Sequence, residues 1–391
     1  MRRLVQMPPS VPSSLRRLAA LGLLLSACRA PAPAEFRVGL IGVFDGPARL
    51  SSGVPARLGA QLAVDELNAA GGVVIGGVAH RVVLVDKATP NRPDAAASVA
   101  RELVNLDSVD VIVGPQFSHL AIAAGAVAEA AEVPMITPMA SAAAVTEGRR
   151  FVTRLAFVDA VQGRVLARYA FDSLRVRRVA AMHNAASAYG RDIVTLFTRE
   201  FERSGGTLTA VTTYDADDPA SRRRAIAEFM RARPEAVLLP NFTGDDSLDL
   251  REMRERGFRG RLLGSDAWDA IALEKAGDVN AAILAANWDR RAERPEMEAF
   301  RASFTKRHAD ERPRATAAAT YDAIRLLAAA ATRAGATTGA DLATALRTAG
   351  DVAGAFGRYR FTGTGDPVRG AAILEMVGDS SVLRALFDPD P

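Results

Sequence analysis

A single cysteine, Cys28, stands in the 391 residues, so no intramolecular disulfide can form even where the compartment would allow one. Histidine is almost as scarce. His80, His119, His183 and His308 are the complete set, with no HExxH and no close pair to seat a transition metal. There is no GxxxxGKS/T phosphate loop and no GxSxG nucleophile turn, and Gly39 with Gly42 falls short of a dinucleotide fingerprint. His119 lies beside Ser118, but adjacent residues on a helix do not face each other, and no acid obviously supports such a pair. The sequence therefore points away from catalysis, and no cofactor or metal is expected. After Cys28, no apolar run approaches the ~20 residues of a transmembrane helix.

An excess of one charge is also missing once the N-terminus is set aside. The chain has 49 basic and 45 acidic residues, but four of the arginines (Arg2, Arg3, Arg16, Arg17) fall in the first 27 residues, which contain no acid. The remainder is balanced, so the sequence pI of ≈ 9.5 is no argument for nucleic acid or an acidic membrane. Those four arginines precede the apolar run Leu18 to Leu25 and the small residues Ser26 and Ala27, the order of a secretory signal. Leu25-Ser26-Ala27-Cys28 resembles the bacterial lipobox, which implies cleavage before Cys28 and lipidation of its thiol. Residues 1–27 are then the signal, and 28–35, rich in Ala and Pro, a tether.

From Phe36 onward, short Val/Ile/Leu runs alternate with helix-period segments. Strands are expected at Phe36 to Phe44, Arg81 to Val85, Val109 to Val113 and Val133 to Ile136. Helices are expected between them at Val54 to Ala70, Pro93 to Leu106 and His119 to Ala131. Gly71-Gly72 closes the first helix, because glycine accepts the left-handed conformation of a helix stop. The pattern restarts with strands at Val176 to His183, Gly206 to Thr213, Ala236 to Pro240 and Arg261 to Gly264, separated by helices from Tyr189, Pro219 and Asp246. Continuous apolar strands joined by helices indicate parallel sheets covered on both faces. Two such series predict an α/β protein of two doubly wound lobes. The tail, with a strand at Ala282 to Ala286, helices from Pro295 to Thr348 and short strands to Phe387, is placed most easily by crossing back to the first lobe and ending on the second. The basic cluster Arg222-Arg223-Arg224 reads as solvated helix surface.

The run Val64-Asp65-Glu66-Leu67-Asn68-Ala69-Ala70-Gly71-Gly72-Val73 resembles the leucine/branched-chain amino-acid-binding family of ABC-transporter receptors. So do Phe44-Asp45-Gly46-Pro47, Ile136-Thr137-Pro138, Ala188-Tyr189-Gly190 and Gly264-Ser265-Asp266, in family order from about Phe36 to Asp388. The resemblance implies a type I periplasmic binding protein, with two lobes, a three-strand hinge and a ligand cleft between. Its boundaries would be 36–155 with 287–366 for one lobe and 156–286 with 367–391 for the other.

Ligands of open α/β sheets sit beyond the carboxyl ends of strands, at helix N-termini. Ser118, between a strand and a helix, is either a plain N-cap or a carboxylate ligand, and the resemblance implies the latter. By the same resemblance Met139 offers a backbone carbonyl to an ammonium group, and Ser141 a hydroxyl where the family usually has threonine. Asp266 stands where members commonly carry glutamate against that ammonium; an Asx turn or N-cap before Trp268 is the alternative. Tyr189 and Phe242 match aromatics that close onto the ligand. The chain departs from the family at Ser51 and Ser52, where an aromatic normally walls the side-chain pocket, and at Thr89 and Phe117, the positions of a common disulfide.

The expectation is an exported, lipid-anchored, monomeric receptor that takes an amino acid of branched-chain or similar apolar type by hinge closure and presents it to an ABC permease. It is expected to be neither an enzyme nor a nucleic-acid binder. A small-metabolite or amide sensor of the same fold, and an envelope regulatory lipoprotein with a degenerate cleft, stay open as alternatives.

Overall fold

The computed structural model describes residues 33–46, 48–215, 218–240, 250–268, 279, 281–289, 291–378 and 380–387. Cys28 and Phe242 lie outside the described residues.

Six strands form the first sheet: β1 (Ala34–Gly42), β2 (Val73–Ile75), β3 (Val78–Ala88), β4 (Val111–Val113), β5 (Met135–Thr137) and β6 (Val152–Arg154), in the order β2-β3-β1-β4-β5-β6. β1, β4, β5 and β6 run parallel, and β2 pairs antiparallel with β3. Alternate residues of one strand enter different cores. Phe36, Val38 and Leu40 of β1 join one apolar cluster, while Ile41 joins Val99 and Leu103 in another. A strand buried on both faces reads as a largely apolar run, which Phe36 to Ile41 shows in sequence with half-buried Arg37 as its one charged residue.

The second sheet contains β7 (Arg178–Asn184), β8 (Thr207–Tyr214), β9 (Ala236–Leu239), β10 (Arg261–Gly264), β11 (Ile283–Ala286), β14 (Ala371–Val377) and β15 (Ser380–Phe387), in the order β15-β14-β11-β10-β9-β7-β8. Its strands are parallel except β14 and β15, which add an antiparallel edge. β12 (Gly350–Ala353) and β13 (Arg358–Phe361) form a separate ribbon. The doubly wound α/β architecture expected from the sequence is the one found. β2, β6 and β12 were not expected. All three are very short, and Thr153 and Arg154 make β6 look polar although it is buried.

Between β11 and β14 the chain packs on the first sheet. Phe300 and Phe304 of the helix Pro295–Arg307, and Tyr321, Ile324 and Leu327 of Ala315–Ala334, share one cluster with Phe36 and Leu40. The crossing segments are clasped by Arg369. Its buried guanidinium donates to the carbonyls of Leu155 at 2.8 Å, Asn287 at 2.5 Å and Phe356 at 3.4 Å, and lies over the rings of Phe356 and Tyr359. The solvated-surface reading of the Arg222 cluster is corrected at one position. Arg222 is buried against the Tyr214 ring, whereas Arg223 and Arg224 are exposed. The helix Pro219–Arg231 turns Arg222 inward with Ala225, Ile226 and Phe229, and the aromatic face takes the cation.

Candidate functional site

The carboxyl ends of the central strands of both sheets contribute to one cavity of ≈ 250 Å³. Five of the six residues singled out for ligand binding (Ser118, Met139, Ser141, Tyr189 and Asp266) line it. The sixth, Phe242, falls outside the described residues. Ser51 and Ser52 also line the cavity.

On the first sheet the chain leaves β4 through Gly114, at φ +85°, where a Cβ would come 2.4 Å from the Ile41 carbonyl oxygen. Only glycine fits that close turn, and it delivers Gln116 and Ser118 to the cavity. Ser118 opens the helix Ser118–Ala130, but its side chain does not cap it. The Ser118 hydroxyl oxygen accepts from the backbone N–H groups of Ser141 and Ala142, both at 3.2 Å, which leaves its own proton to be donated. These bonds fasten the loop after β5 to the loop after β4. Arg154 fastens it from below. Its side chain is fully buried, pairs with Asp366 at 2.6 Å, and donates to the Ala140 carbonyl at 3.2 Å, the Ala143 carbonyl at 3.3 Å and the Thr146 hydroxyl at 2.7 Å. Met139 and Ser141 are thus held on a loop with little freedom.

On the second sheet Tyr189 lies in the first turn of the helix Ala188–Arg203, which Ser187 caps by accepting from the Gly190 N–H at 2.9 Å. The Tyr189 hydroxyl donates to Asp266 Oδ1 at 2.5 Å, and Asn287 Nδ2 donates to Asp266 Oδ2 at 2.6 Å. Both carboxylate oxygens are thereby oriented by neighbouring side chains rather than spent on an Asx turn. Gln162 links this array to a second acid. Its amide nitrogen donates to the Tyr189 hydroxyl at 3.3 Å and to Asp159 Oδ1 at 3.0 Å, and its oxygen accepts from the Asp266 N–H at 3.2 Å.

The electrostatics follow from burial. Burial pushes the Asp159 carboxyl up to about 7, with the nearby Asp266 charge acting in the same direction and Ser141 and Gln162 opposing. Burial likewise raises Asp266, against the pull of its hydrogen bonds from Tyr189, Gln162 and Asn287. Among the described residues no ion pair reaches either acid, and Asp159 Oδ2 has no hydrogen-bond partner. Asp266, buried in the cavity lining and held by neutral donors, gains from an incoming cation; Asp159 is joined to it through Gln162 and feels the charge of Arg154. His119 is held below its ordinary range by burial, and its Nε2 lies 2.9 Å from the Asn91 side-chain oxygen, not on Ser118.

Gln116, Asp159, Gln162 and Asn287 were not singled out from the sequence. Asn287 follows the end of β11, where ligands of open α/β sheets sit, so its position was a usable signal, and Gln116 sits inside the segment that yielded Ser118. Asp159 and Gln162 carry no such signal, because they acquire their role from a helix that starts after the chain has left the first sheet.

Among the described residues no helix is long and apolar enough to cross a membrane, and no cluster of His, Cys, Asp and Glu could hold a metal. A family model described as periplasmic binding protein matches residues 35–381. The Leu/Ile/Val-binding protein BraC3 of Rhizobium johnstonii is 28% identical over 351 residues, covering 88% of this chain and 92% of its own. The leucine-binding protein LivK of Thermotoga maritima superposes with a TM-score of 0.83 at 25% identity, covering 90% of this chain and 99% of its own. The branched-chain amino acid transporter substrate-binding protein LivJ of Streptococcus pneumoniae, in complex with isoleucine, gives 0.81 at 26% identity, covering 91% and 100%. These relatives are binding proteins rather than enzymes, and their family is exported to the periplasm and works with ABC transporters. The chain belongs to the type I periplasmic binding proteins of the leucine-binding kind.

Proposed function

We propose that this protein captures a free amino acid in the cavity between its sheets and presents it to an ABC permease in a closed form. The observation that carries this reading is the Asp266 carboxyl, aimed by Tyr189 and Asn287, which lines one cavity with the Ser118 hydroxyl and a helix N-terminus. A zwitterion satisfies both sides at once. Its carboxylate takes the Ser118 proton and the end of the Ser118–Ala130 helix. Its ammonium takes Asp266, the Ser141 hydroxyl and the Met139 carbonyl. The volume of ≈ 250 Å³ lies just below the roughly 300–1,000 Å³ of most ligand pockets and suits a small metabolite.

Closure has a thermodynamic reason. Ser118, Met139 and Ser141 stand on one sheet, and Tyr189 and Asp266 on the other. A ligand that needs both sets selects the arrangement in which they meet. The Arg369 clasp keeps three crossing segments in register, in keeping with lobes at 36–155 with 287–366 and 156–286 with 367–391. The lipidated Cys28, with a tether that ends by residue 33 rather than 35 because Ala34 and Glu35 already belong to β1, would keep the receptor at the membrane as a monomer beside its permease.

Thermal melts of the purified protein against the common amino acids and short amides test the reading. A ligand at 100 times its dissociation constant adds about 2.7 kcal/mol to the native state. A shift with an amino acid that is lost in Ser141→Ala supports the assignment. A shift with amides alone would replace it by the sensor alternative.

A further inference from the structure

Two polar side chains of the cavity lining, neither of them assigned to the amino-acid backbone, are buried without a partner. Ser52 is 6% exposed and Gln116 5%, and both line the cavity. Ser52 Oγ and Gln116 Nε2 are buried and have no hydrogen-bond partner among the described residues. A buried donor without a partner costs about 1–3 kcal/mol, so two on one wall mark a place where something else supplies the acceptor.

Their position in the sheet says which part of the ligand that is. β1, β4 and β5 are successive neighbours. Ser52 follows β1, Gln116 follows β4, and Met139 and Ser141 follow β5. Neighbouring strands lie about 4.8 Å apart, so the β1 end is roughly 10 Å from the β5 end. A ligand whose ammonium and carboxylate sit at Ser118, Met139 and Ser141 and whose side chain runs toward β1 brings the tip of that side chain to Gln116 and Ser52.

We infer that the ligand's side chain ends in a hydrogen-bond-accepting oxygen, of a carboxamide, carboxylate or hydroxyl, which Gln116 and Ser52 bind as donors. The protein is then a receptor for a polar amino acid rather than a branched-chain one. The inference rests on the amino-acid reading above and replaces its apolar ligand class. An alkyl side chain would expel water from this wall and leave both donors unpaired. A pocket built for a hydrogen bond rejects the analogue that lacks it far more strongly than an apolar pocket rejects an extra methylene.

The test is calorimetric titration of the wild-type protein with glutamine, glutamate, threonine, leucine, isoleucine and valine, repeated on Gln116→Leu and Ser52→Ala. At least one of the first three should bind about a hundredfold more tightly than any of the last three. Gln116→Leu should reverse that order and Ser52→Ala narrow it. Glutamine against glutamate separates carboxamide from carboxylate. Tightest binding of leucine, isoleucine or valine to the wild type overturns the inference and leaves the amino-acid reading standing. Binding of none of the six overturns both. The wild-type ranking decides the matter even if Gln116→Leu does not fold.

Discussion

The Tyr189 hydroxyl reaches Asp266 Oδ1 at 2.5 Å while Asn287 holds the other oxygen at 2.6 Å, so the carboxylate facing the cavity is aimed before any ligand arrives. Removing the charge should cost more than removing the aim. Asp266→Asn is expected to weaken amino-acid binding by about 2–5 kcal/mol, the usual cost of losing one member of a buried charge pair. Tyr189→Phe removes one hydrogen bond to a charged group, worth about 1.5–3 kcal/mol, and should cost less. Titration calorimetry on the two variants checks the order, and equal affinities for wild type and Asp266→Asn would remove Asp266 from the site.

Asp159 gives the unliganded protein a pH-dependent stability. Its folded value of about 7 lies above the ordinary 3.8, so between those limits the folded state keeps a proton that the unfolded state has lost. Stability from this group is present below about pH 4 and falls as pH rises to 7, at up to about 1.4 kcal/mol per pH unit. Asp322, raised to about 6 by burial, acts in the same direction. Asp159→Asn should therefore flatten part of the slope, not all of it, in denaturant melts from pH 4 to 8. An unchanged slope would contradict the burial assigned to Asp159.

The same carboxyl should couple binding to protons. An ammonium group nearby favours the ionised acid, so the ligand binds better once Asp159 has lost its proton. Affinity for an amino acid should rise with pH up to about 7 and then level off, with protons released below that point. Calorimetry in buffers of different ionisation enthalpy reads the release directly, and Asp159→Asn should reduce it without abolishing it, because burial raises Asp266 as well.

Arg369 is predicted to be the costliest single position in the crossings. It serves the carbonyls of Leu155, Asn287 and Phe356 and lies against Tyr359, whose hydroxyl donates to buried Asp322 at 2.7 Å. Arg369→Met leaves those acceptors and Asp322 short of a cation, at a cost of about 3–5 kcal/mol. Arg369→Lys should recover only a part, because an ammonium lacks the planar fork that reaches several carbonyls at once. Thermal melts of both variants check this, and a wild-type melting temperature in Arg369→Met would contradict it.

The alternation of buried strands and amphipathic helices made the α/β fold legible before any coordinates. A strand such as Phe36 to Ile41 feeds two apolar clusters with the adjacent residues Leu40 and Ile41, and that leaves a run that is apolar apart from Arg37. Ser118, Met139, Ser141, Tyr189 and Asp266 were singled out for another reason: the family resemblance pointed to them, and the placement of Ser118 between a strand and a helix agreed with it. Asp159 and Gln162 were not, because a carboxyl in the first turn of a helix and an amide inside it have the same local pattern whether they face water or are buried behind a site. Gln116 and Ser52 were in view, but their lack of partners is a property of burial and appears only when the surrounding groups are in place.

The central claim is that an ammonium group is bound by Asp266 in the cleft. Its most direct measurement is calorimetric titration of the wild-type protein with the amino acid that shifts its melting temperature most, beside the same compound with a hydroxyl in place of the ammonium. The account predicts binding of the amino acid and a loss of about 2–5 kcal/mol for the hydroxy analogue. Equal affinities would contradict it.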